Sequence, residues 1–415
     1  MPAAPSPSKP VSWRTPAVVL ICGCFLAVIA FGPRSTLGFF LTPITSTHGW
    51  GRDIFGFALA LQNIIWGAGQ PFSGALADRF GTIPVIWVGA ALYAAGLAMM
   101  AYATTPGMLD ISAGVLIGFG LSGCSFPVVL AALGKLLPDR MRPLAFGAGT
   151  AAGSFGQFLY SPLAVALIDQ YGWQSTLFIM AASLILVLPL SLALASPRAT
   201  ETRTVASAPS QSITHALREA LAHRSYVLLV LGYFTCGFQL QFVTIHLPSF
   251  LVDRGLSAQV GGWTIAVIGL FNIVGSIASG WLAGVFPKRY LLSLIYFTRA
   301  LAILAFISFP VTPTTCIIFG AVMGLMWLST VPPTTSLIAV MFGTRWLAML
   351  TGFAFFSHQV GGFLGVLLGG IAFERTGSYD LMWWLAILFG VLSALINLPI
   401  VEKPVARPAT AGASA

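Results

Sequence analysis

The feature that most constrains this chain is a series of apolar runs, each long enough to cross a lipid bilayer as a helix. A spanning helix needs about 20 mostly apolar residues. The approximate limits of the twelve runs are 17–42, 54–77, 84–103, 107–134, 144–168, 174–195, 226–251, 259–284, 290–309, 313–341, 346–372 and 381–400. Only 7% of the residues are charged, too few to cover a water-soluble surface. The sequence therefore predicts an all-α membrane protein with twelve transmembrane helices.

A polar stretch between the sixth and seventh runs divides the chain into two parts. It contains Ser, Thr, Pro and four arginines, and from Ser212 to Leu221 its apolar residues recur at helical spacing. We expect a short helix on the membrane surface there. The predicted units are a tail at 1–16, a six-helix bundle at 17–195, a linker at 196–225, a second six-helix bundle at 226–401 and a tail at 402–415.

An internal repeat relates the two bundles. Residues 74–81 align with 280–287 at an offset of 206 residues, and after one deletion an offset of 205 matches Gly147 with Gly352. Two copies of one six-helix unit predict a pseudo-symmetric pair of bundles. Such halves place the solute pathway at their interface near the bilayer midplane.

The basic residues indicate the orientation of the chain. With both termini cytoplasmic, 15 of the 20 Lys and Arg residues lie on that side, and only Arg52, Arg254 and Arg375 lie outside. Short cytoplasmic loops retain Lys and Arg, so we expect both termini in the cytoplasm. The charge is spread over alternate loops and forms no continuous basic stripe, so no nucleic-acid partner is expected.

The loop after the second run carries Gly74-x-Leu76-Ala77-Asp78-Arg79-x-Gly81, which resembles the signature of the major facilitator superfamily. The resemblance implies the major facilitator fold and transport by alternating access. It also implies that this Gly74 motif gates the cytoplasmic side, with Asp78 and Arg79 as the latch and Arg142 as a candidate partner. The equivalent loop in the second half lacks the aspartate, so one latch is expected. The alternative is that these are solvated loop charges.

A narrower resemblance lies in the fifth run. Arg142-Pro-Leu-Ala-x-Gly147, followed by Gly153 and Gly156, is similar to the fifth helix of monocarboxylate porters and their bacterial relatives. This resemblance implies a monocarboxylate substrate and a multi-pass protein of the bacterial inner (plasma) membrane. Two features depart from that branch. Its eighth-helix arginine and aspartate would fall near Ser276 and Asn272, and its first-span signature is replaced by residues 31–38.

Arg34, in the first run, is the leading candidate for substrate recognition. A charged side chain inside a span costs at least ~2.5–3.5 kcal/mol and normally faces a cavity or a partner. Pro33 cannot donate to the helix ladder and disfavours helical geometry at Gly32, so we expect the helix to break one residue before Arg34. Interrupted helices carry solute sites in transporters, and guanidinium suits a carboxylate. Alternatively, Arg34 snorkels outward or braces a neighbouring helix.

Other polar side chains inside the runs are weaker candidates for substrate binding. Arg299 lies in the ninth run, which corresponds to the peripheral third helix of the fold, so an interhelical hydrogen bond competes with a direct role. His246 and His358 could contact solute or titrate near neutral pH, or could be satisfied packing residues. The remaining candidates, some of which we expect only to bridge helices, are Gln62, Asn63, Gln157, Tyr160, Gln239 and Asn272.

The sequence contains no nucleotide-binding loop, metal-ligand cluster, catalytic triad or cofactor fingerprint, so we expect a non-enzyme without metal or cofactor. The leading hypothesis is a secondary active or facilitative transporter of a small organic anion, a monocarboxylate on the resemblance, working as a monomer in the lipid bilayer. The alternatives are an exporter of an apolar or cationic drug-like compound and a non-transporting membrane receptor that senses a solute.

The acidic residues bear on energy coupling. All 11 fall in loops, tails or helix ends, so no run holds an acidic proton relay of the kind that proton-coupled carriers use. Facilitated or exchange transport is therefore favoured slightly over proton symport. If symport occurs, we expect His358 to carry the proton in preference to His246, because His358 lies deeper in its run.

Overall fold

The computed structural model describes residues 13–124, 126–138, 141–195, 213–343 and 347–405. Side chains are described at these positions except 75, 78, 79, 126, 127, 131, 134, 135, 142–144, 146, 213–216 and 348. The terminal residues and most of the predicted linker, 196–212, lie outside the described residues.

Twelve helices run from one end of the described molecule to the other, and we label them α1–α12 in chain order. Their bounds are Pro16–His48 (α1), Arg52–Phe80 (α2), Thr82–Ala101 (α3), Pro106–Leu130 with a continuation to Leu136 (α4), 142–171 (α5), 173–194 (α6), Arg224–Asp253 (α7), Ala258–Val285 (α8), Lys288–Ser308 (α9), Pro313–Phe342 (α10), Leu347–Thr376 (α11) and Asp380–Asn397 (α12). A short additional helix, Ile213–Ala222, precedes α7.

The predicted twelve-helix membrane protein with two six-helix halves is confirmed. Ten helical stretches in the described part are long and apolar enough to span a membrane. One of them holds both α5 and α6, which Gly172 separates by its positive φ of 79°. The twelfth helix is α2, whose polar Gln62, Asn63 and Gln70 lower its mean hydropathy.

Local sequence sets where several helices begin. A threonine side chain at the N-cap accepts a hydrogen bond from a first-turn amide, and the following proline occupies the first helical position, where no amide hydrogen is needed. This arrangement starts α1, α4 and α10 at Thr15-Pro16, Thr105-Pro106 and Thr312-Pro313. These starts follow from two-residue signals rather than from tertiary packing.

The two halves repeat the same helix contacts. A methyl group added to Gly118 of α4 would lie 3.1 Å from the carbonyl oxygen of Gln62 in α2. Gly324 of α10 approaches Ile268 of α8 in the same way, at 2.7 Å. Both residue pairs are related by 206 positions, so the α2–α4 and α8–α10 contacts are equivalent, and glycine allows the close approach.

The halves meet through α1 with α7, α2 with α11, and α5 with α8. In the α1–α7 contact, residues 207 positions apart touch each other: the Thr42 and Ser249 hydroxyls are 3.0 Å apart, and a methyl group on Gly38 would lie 2.8 Å from the Ile245 oxygen. Residues that contact their own equivalents lie on the symmetry axis of an interface. The pseudo-two-fold axis therefore passes between α1 and α7.

The expected break of α1 at Gly32-Pro33 is wrong. The α-helix continues to Ser35, and the chain tightens into a 3₁₀ turn only at Leu37–Phe40. At the end of the helix, Ser35 Oγ donates to the Gly32 oxygen at 2.6 Å and Thr36 Oγ1 donates to the Pro33 oxygen at 2.8 Å, so hydroxyls satisfy carbonyls of the last turn. Membrane helices tolerate proline in their interior, and here the irregularity follows Arg34 instead of preceding it.

The two ends of the molecule differ in how closely the halves approach. We call the end where α1 begins and α12 finishes the terminal face, and the opposite end the distal face. Near the distal face a methyl group on Gly370 of α11 would lie 2.7 Å from the Arg52 oxygen, and one on Gly56 would lie 3.1 Å from the Val366 oxygen. The halves are closed there.

Toward the terminal face the same helices separate. A methyl group on Gly67 of α2 would still lie 2.8 Å from Cβ of Gln359 in α11. Gly74 lies seven residues closer to the terminal face than Gly67, and Gly352 lies seven residues closer than Gln359. Methyl groups on Gly74 and Gly352 would have no described heavy atom within 4 Å. Residues seven apart share a helix face. Trp66 still contacts Phe355 at 5.8 Å between ring centres, so among the described residues the interface between α2 and α11 opens toward the terminal face beyond the level of Phe355.

Candidate substrate site

Arg34 lies on the pseudo-two-fold axis, at the level where the halves begin to separate. Its side chain is 3% exposed. Nη2 donates to Oδ1 of Asn63 in α2 at 3.0 Å and to Oε1 of Gln241 in α7 at 2.5 Å. Gln241 stands 207 positions after Arg34, the same spacing as the facing residues Thr42 and Ser249, so it is the counterpart of the arginine across the axis. The guanidinium also lies 5.8 Å from the ring centre of Trp66.

The charge of Arg34 has no carboxylate partner in the part of the chain that the structure describes. Among the described residues, the ion pairs involve other cations, and the two partners of Arg34 are neutral amides. Its buried Nε has no hydrogen-bond partner. An unpaired buried charge is costly, and Arg fits a planar, bidentate acceptor such as a carboxylate. The geometry around Arg34 is therefore suited to an anion.

A chain of amide side chains extends from Arg34 into α11. Nε2 of Gln359 donates to the backbone oxygen of Asn63 at 3.2 Å, and Oε1 of Gln359 lies 3.1 Å from Nδ1 of His358. A methyl group on Gly362 would touch Gln241 at 2.7 Å. The polar cluster thus draws on α1, α2, α7 and α11, two helices from each half.

Three other predicted site residues lie near this cluster or at the contact between α5 and α8. Gln157 of α5 donates from Nε2 to the Ile265 oxygen at 3.2 Å, and Nδ2 of Asn272 donates to Ser154 Oγ at 2.8 Å. Both bonds join the halves. The Tyr160 ring packs directly against Gly32, two residues before Arg34, and its hydroxyl lies 3.4 Å from Ser183 Oγ.

Three predicted site residues point into a single half instead. Gln62 donates to the Ala113 oxygen at 2.7 Å, and Gln239 donates to the Ala386 oxygen at 2.9 Å. Arg299 is fully buried and donates from Nε and Nη2 to the backbone oxygens of Met326 and Trp327. α10 is interrupted between Met326 and Val331, so Arg299 satisfies carbonyls that the helix itself leaves free.

The two histidines occupy different places. The His358 ring stacks on Phe355 at 5.6 Å and is tied to Gln359, so it belongs to the polar cluster. His246 is fully buried near the distal face, with Nε2 2.8 Å from the Val366 oxygen and Nδ1 3.3 Å from the Tyr379 hydroxyl. His246 is therefore part of the closed end of the interface and does not reach Arg34.

The predicted gating residues lie at the terminal ends of α2 and α5. A methyl group on Gly74 would have no described heavy atom within 4 Å. Asp78 and Arg79 fall in the last turn of α2, and Arg142 is the first residue of α5. The side chains of these three charged residues lie outside the described residues.

Sequence reasoning missed Gln241, Gln359 and Trp66 as neighbours of the site. The sequence repeat does not single out Gln241, because its offset of 206 pairs Arg34 with Leu240; the spacing of 207 is seen only in the contacts between α1 and α7. For Gln359, the signal is its position next to His358 in an otherwise apolar run. Trp66 gives no polar signal in the sequence.

Two equivalent bundles that share an axis, closed at one face and parted at the other, form the architecture of an alternating-access membrane transporter. The chain belongs to the Major Facilitator Superfamily, whose sequence model matches residues 23–366.

Relatives are found at the level of sequence. The chain is 30% identical over 396 residues to the uncharacterised MFS-type transporter YcxA of Bacillus subtilis, covering 92% of this chain and 95% of that protein. It is 26% identical over 397 residues to monocarboxylate transporter 13 of Bos taurus, covering 94% and 92% of the two chains.

Solved structures share the fold. A bacterial homologue of the human lysosomal transporter Spinster, in an inward-facing and occupied conformation, superposes with a TM-score of 0.73 at 16% identity, over 94% of this chain and 97% of that chain. A D-xylose-proton symporter superposes with a TM-score of 0.69 at 15% identity, over 94% and 98%. At these identities the likeness concerns the fold alone.

Proposed function

We propose that this protein carries a small organic anion, a monocarboxylate, across the membrane by alternating access, and that Arg34 binds the carboxylate. The observation that carries the proposal is the uncompensated charge of Arg34 on the axis between the halves. A buried cation held only by neutral amides can gain an ionic partner by binding an anion. The 26% identity to monocarboxylate transporter 13 supports the same class of solute.

The contacts of Arg34 suggest how binding would be linked to movement of the halves. Nη2 of Arg34 donates one hydrogen bond to Gln241 of the opposite half. A carboxylate that binds the guanidinium group of Arg34 would compete with the Gln241 oxygen for this nitrogen. The carboxylate would be the stronger acceptor, because charge-assisted hydrogen bonds are stronger than bonds to a neutral amide. Binding would thus weaken a contact that joins α1 to α7 and would favour relative motion of the halves.

The proposal includes an orientation. The terminal face would lie in the cytoplasm of a bacterial cell, in agreement with the excess of Lys and Arg at that end. The protein would act as a secondary active or facilitative carrier in the plasma membrane, as a monomer. The state described here, parted at the terminal face, would then be inward-facing.

The direct test is counterflow in proteoliposomes with a panel of labelled organic acids, and with cationic drug-like compounds in parallel. We expect counterflow of at least one monocarboxylate, its loss in Arg34→Ala, and partial retention in Arg34→Lys, which keeps the charge without the fork. Arg375→Ala, which removes an exposed cation of α11, is the matched control and should transport normally.

Each contrary result has a definite meaning. Counterflow of cationic compounds alone would favour an exporter of such compounds and contradict the anion proposal. Saturable binding of an acid without counterflow would favour a solute-sensing receptor. Monocarboxylate counterflow that survives in Arg34→Ala would remove Arg34 from the site and leave the substrate class standing.

A further inference from the structure

Arg52, at the start of α2, joins the two halves at the closed distal face. Arg52 donates from Nη1 and Nη2 to the two carboxylate oxygens of Asp253, at 2.6 and 2.7 Å, and its backbone amide donates to Oε1 of Glu374 at 2.7 Å. Its guanidinium lies 3.8 Å from the ring centre of Phe373. Asp253, Phe373 and Glu374 belong to the second half, so these contacts, which we call the distal latch, tie the halves together.

The distal latch continues inward to a buried histidine through one phenol. Nη1 of Arg52 also donates to the Tyr379 oxygen at 3.0 Å, and that oxygen lies 3.3 Å from Nδ1 of His246. On its other side, Nε2 of His246 is 2.8 Å from the Val366 oxygen. Arg52, Tyr379, His246 and Val366 thus form one hydrogen-bond chain from the Arg52–Asp253 ion pair to the interior of α11.

The direction of each bond in the chain can be assigned. The Val366 carbonyl only accepts, so Nε2 of His246 carries a hydrogen, and Nδ1 of the neutral ring is an acceptor. Arg52 only donates, so the Tyr379 oxygen accepts from Arg52 and its hydroxyl hydrogen is given to Nδ1. Burial raises the pKa of Tyr379 to about 12, so the phenol keeps this hydrogen at physiological pH.

Closely packed neighbours restrict the position of the His246 ring. A methyl group on Gly369 would lie 2.5 Å from Cδ2 and Nε2 of the ring, and the Phe242 ring centre is 5.7 Å away. The other charged groups nearby are already engaged: Asp253 and Glu374 bond to Arg52, and Asp380 lies 3.7 Å from Arg254 at the surface. Among the described residues, the polar partners of His246 are Tyr379 and Val366 alone.

A proton on Nδ1 would therefore conflict with the distal latch. The protonated ring has two donors and no acceptor, so the Tyr379 hydrogen would lose its partner and Nδ1–H would compete with Arg52 for the phenol oxygen. Two cations would then share one neutral acceptor in a buried pocket, which is unfavourable. Separation of Arg52 from Tyr379, which accompanies opening of the distal face, frees the phenol oxygen to accept from Nδ1–H and removes the conflict.

We propose that His246 is a proton-binding site that controls the distal latch, so that a proton arriving from the distal side favours opening of that face. The proton comes from water and binds at Nδ1, and Tyr379 keeps its own hydrogen throughout. This assignment places proton sensing at His246 instead of His358, whose ring is joined to the central polar cluster. It does not depend on which solute the protein carries.

The test is hydrogen–deuterium exchange of the protein in lipid nanodiscs at about pH 5 and about pH 7.5, corrected for the pH dependence of the chemical exchange step. We expect residues 246–256 and 372–380 to exchange roughly fivefold faster or more at the lower pH, as the loss of one hydrogen bond allows. His246→Gln should abolish this pH response. Tyr379→Phe should raise exchange at both pH values and should also abolish the response.

Two other histidines serve as matched controls. His48 lies near the same face and stacks on Trp50 at 4.5 Å, and His358 lies in the central cluster. His48→Gln and His358→Gln should keep the wild-type pH response. The proposal is overturned if exchange at the distal face is independent of pH in the wild type, if the response survives in His246→Gln, or if it disappears in His48→Gln. Thermal unfolding of each variant shows whether it is folded.

Discussion

The two halves of the molecule share their helix packing and differ in where they carry charge. Gly118 and Gly324 pack against equivalent atoms, but Arg34 of α1 corresponds to neutral Gln241 of α7. Conversely, the second half carries Arg299 in α9 where the first half has neutral Tyr93 in α3. Backbone symmetry has thus been retained while the charged side chains have become asymmetric.

The position of each arginine relative to the axis explains the difference in its contacts. Arg34 lies between the halves and bonds to one amide from each, so its partners separate when the halves rock. Arg299 lies inside one half and bonds to backbone oxygens of an interrupted helix, which move with it. Equal burial therefore does not imply an equal role, and five predictions test this comparison.

The largest expected effect is on binding. Arg34→Gln should weaken binding of the transported acid by at least roughly 30-fold, because losing a charge-assisted bond to a desolvated anion costs about 2–5 kcal/mol. Arg299→Gln should change binding less than twofold. Titration calorimetry on the purified variants makes the comparison, and equal losses in both would show that the two arginines act on the anion alike.

A double variant sharpens the same comparison. Because Arg34 and Gln241 meet on the axis, Arg34→Gln combined with Gln241→Arg moves the charge to the equivalent position in the other half. We expect this swap to recover part of the affinity lost in Arg34→Gln. Affinity as low as in the single variant would place the anion on the α1 side of the axis.

These contacts show how far the sequence alone could lead. The apolar runs and the repeat were sufficient for the twelve helices, because hydropathy and glycine spacing are local signals. Arg34 stood out because a charge inside a span is costly. Gln241 was missed while Gln239 was chosen, because two glutamines two positions apart point to different sides of a helix, and only the structure shows which side faces the axis.

The next effect is on stability. Arg299→Met should lower the free energy of unfolding by about 2 kcal/mol, because the Met326 and Trp327 oxygens lose their donor in a buried place. Arg34→Met should not lower it in the solute-free protein, since the substitution removes an uncompensated charge. Thermal unfolding in detergent measures both. A large loss of stability in Arg34→Met would indicate that Arg34 is chiefly a structural brace.

A smaller effect separates the two glutamines of α7. Gln241→Leu removes the axial partner of Arg34 and should change solute affinity by roughly fivefold, the value of about one hydrogen bond. Gln239→Leu removes a bond to Ala386 inside the second half and should leave affinity unchanged while lowering stability. Binding assays on both variants check this pair, and a larger affinity change in Gln239→Leu would contradict the positions assigned to them.

The smallest effect concerns the terminal face, where the first half carries Asp78 and Arg79 and the second half carries Gly284 and Val285 at the equivalent positions. If the acidic latch exists only in the first half, Asp78→Asn should favour opening of the terminal face by less than about 1 kcal/mol, as expected for an exposed ion pair. The reporter is Gly352→Cys, because a methyl group at position 352, beside the α2–α11 interface, would meet no described heavy atom within 4 Å. Its labelling rate with a membrane-impermeant thiol reagent, relative to the parent with its native cysteines, should rise in Asp78→Asn and stay constant in Asp110→Asn, which removes a carboxylate from the distal end of α4.

Solute affinity should change only by the accompanying shift in the population of open molecules. Identical labelling rates in Asp78→Asn and its parent would show that Asp78 is a solvated loop charge and that the asymmetry of the halves has no consequence at this face.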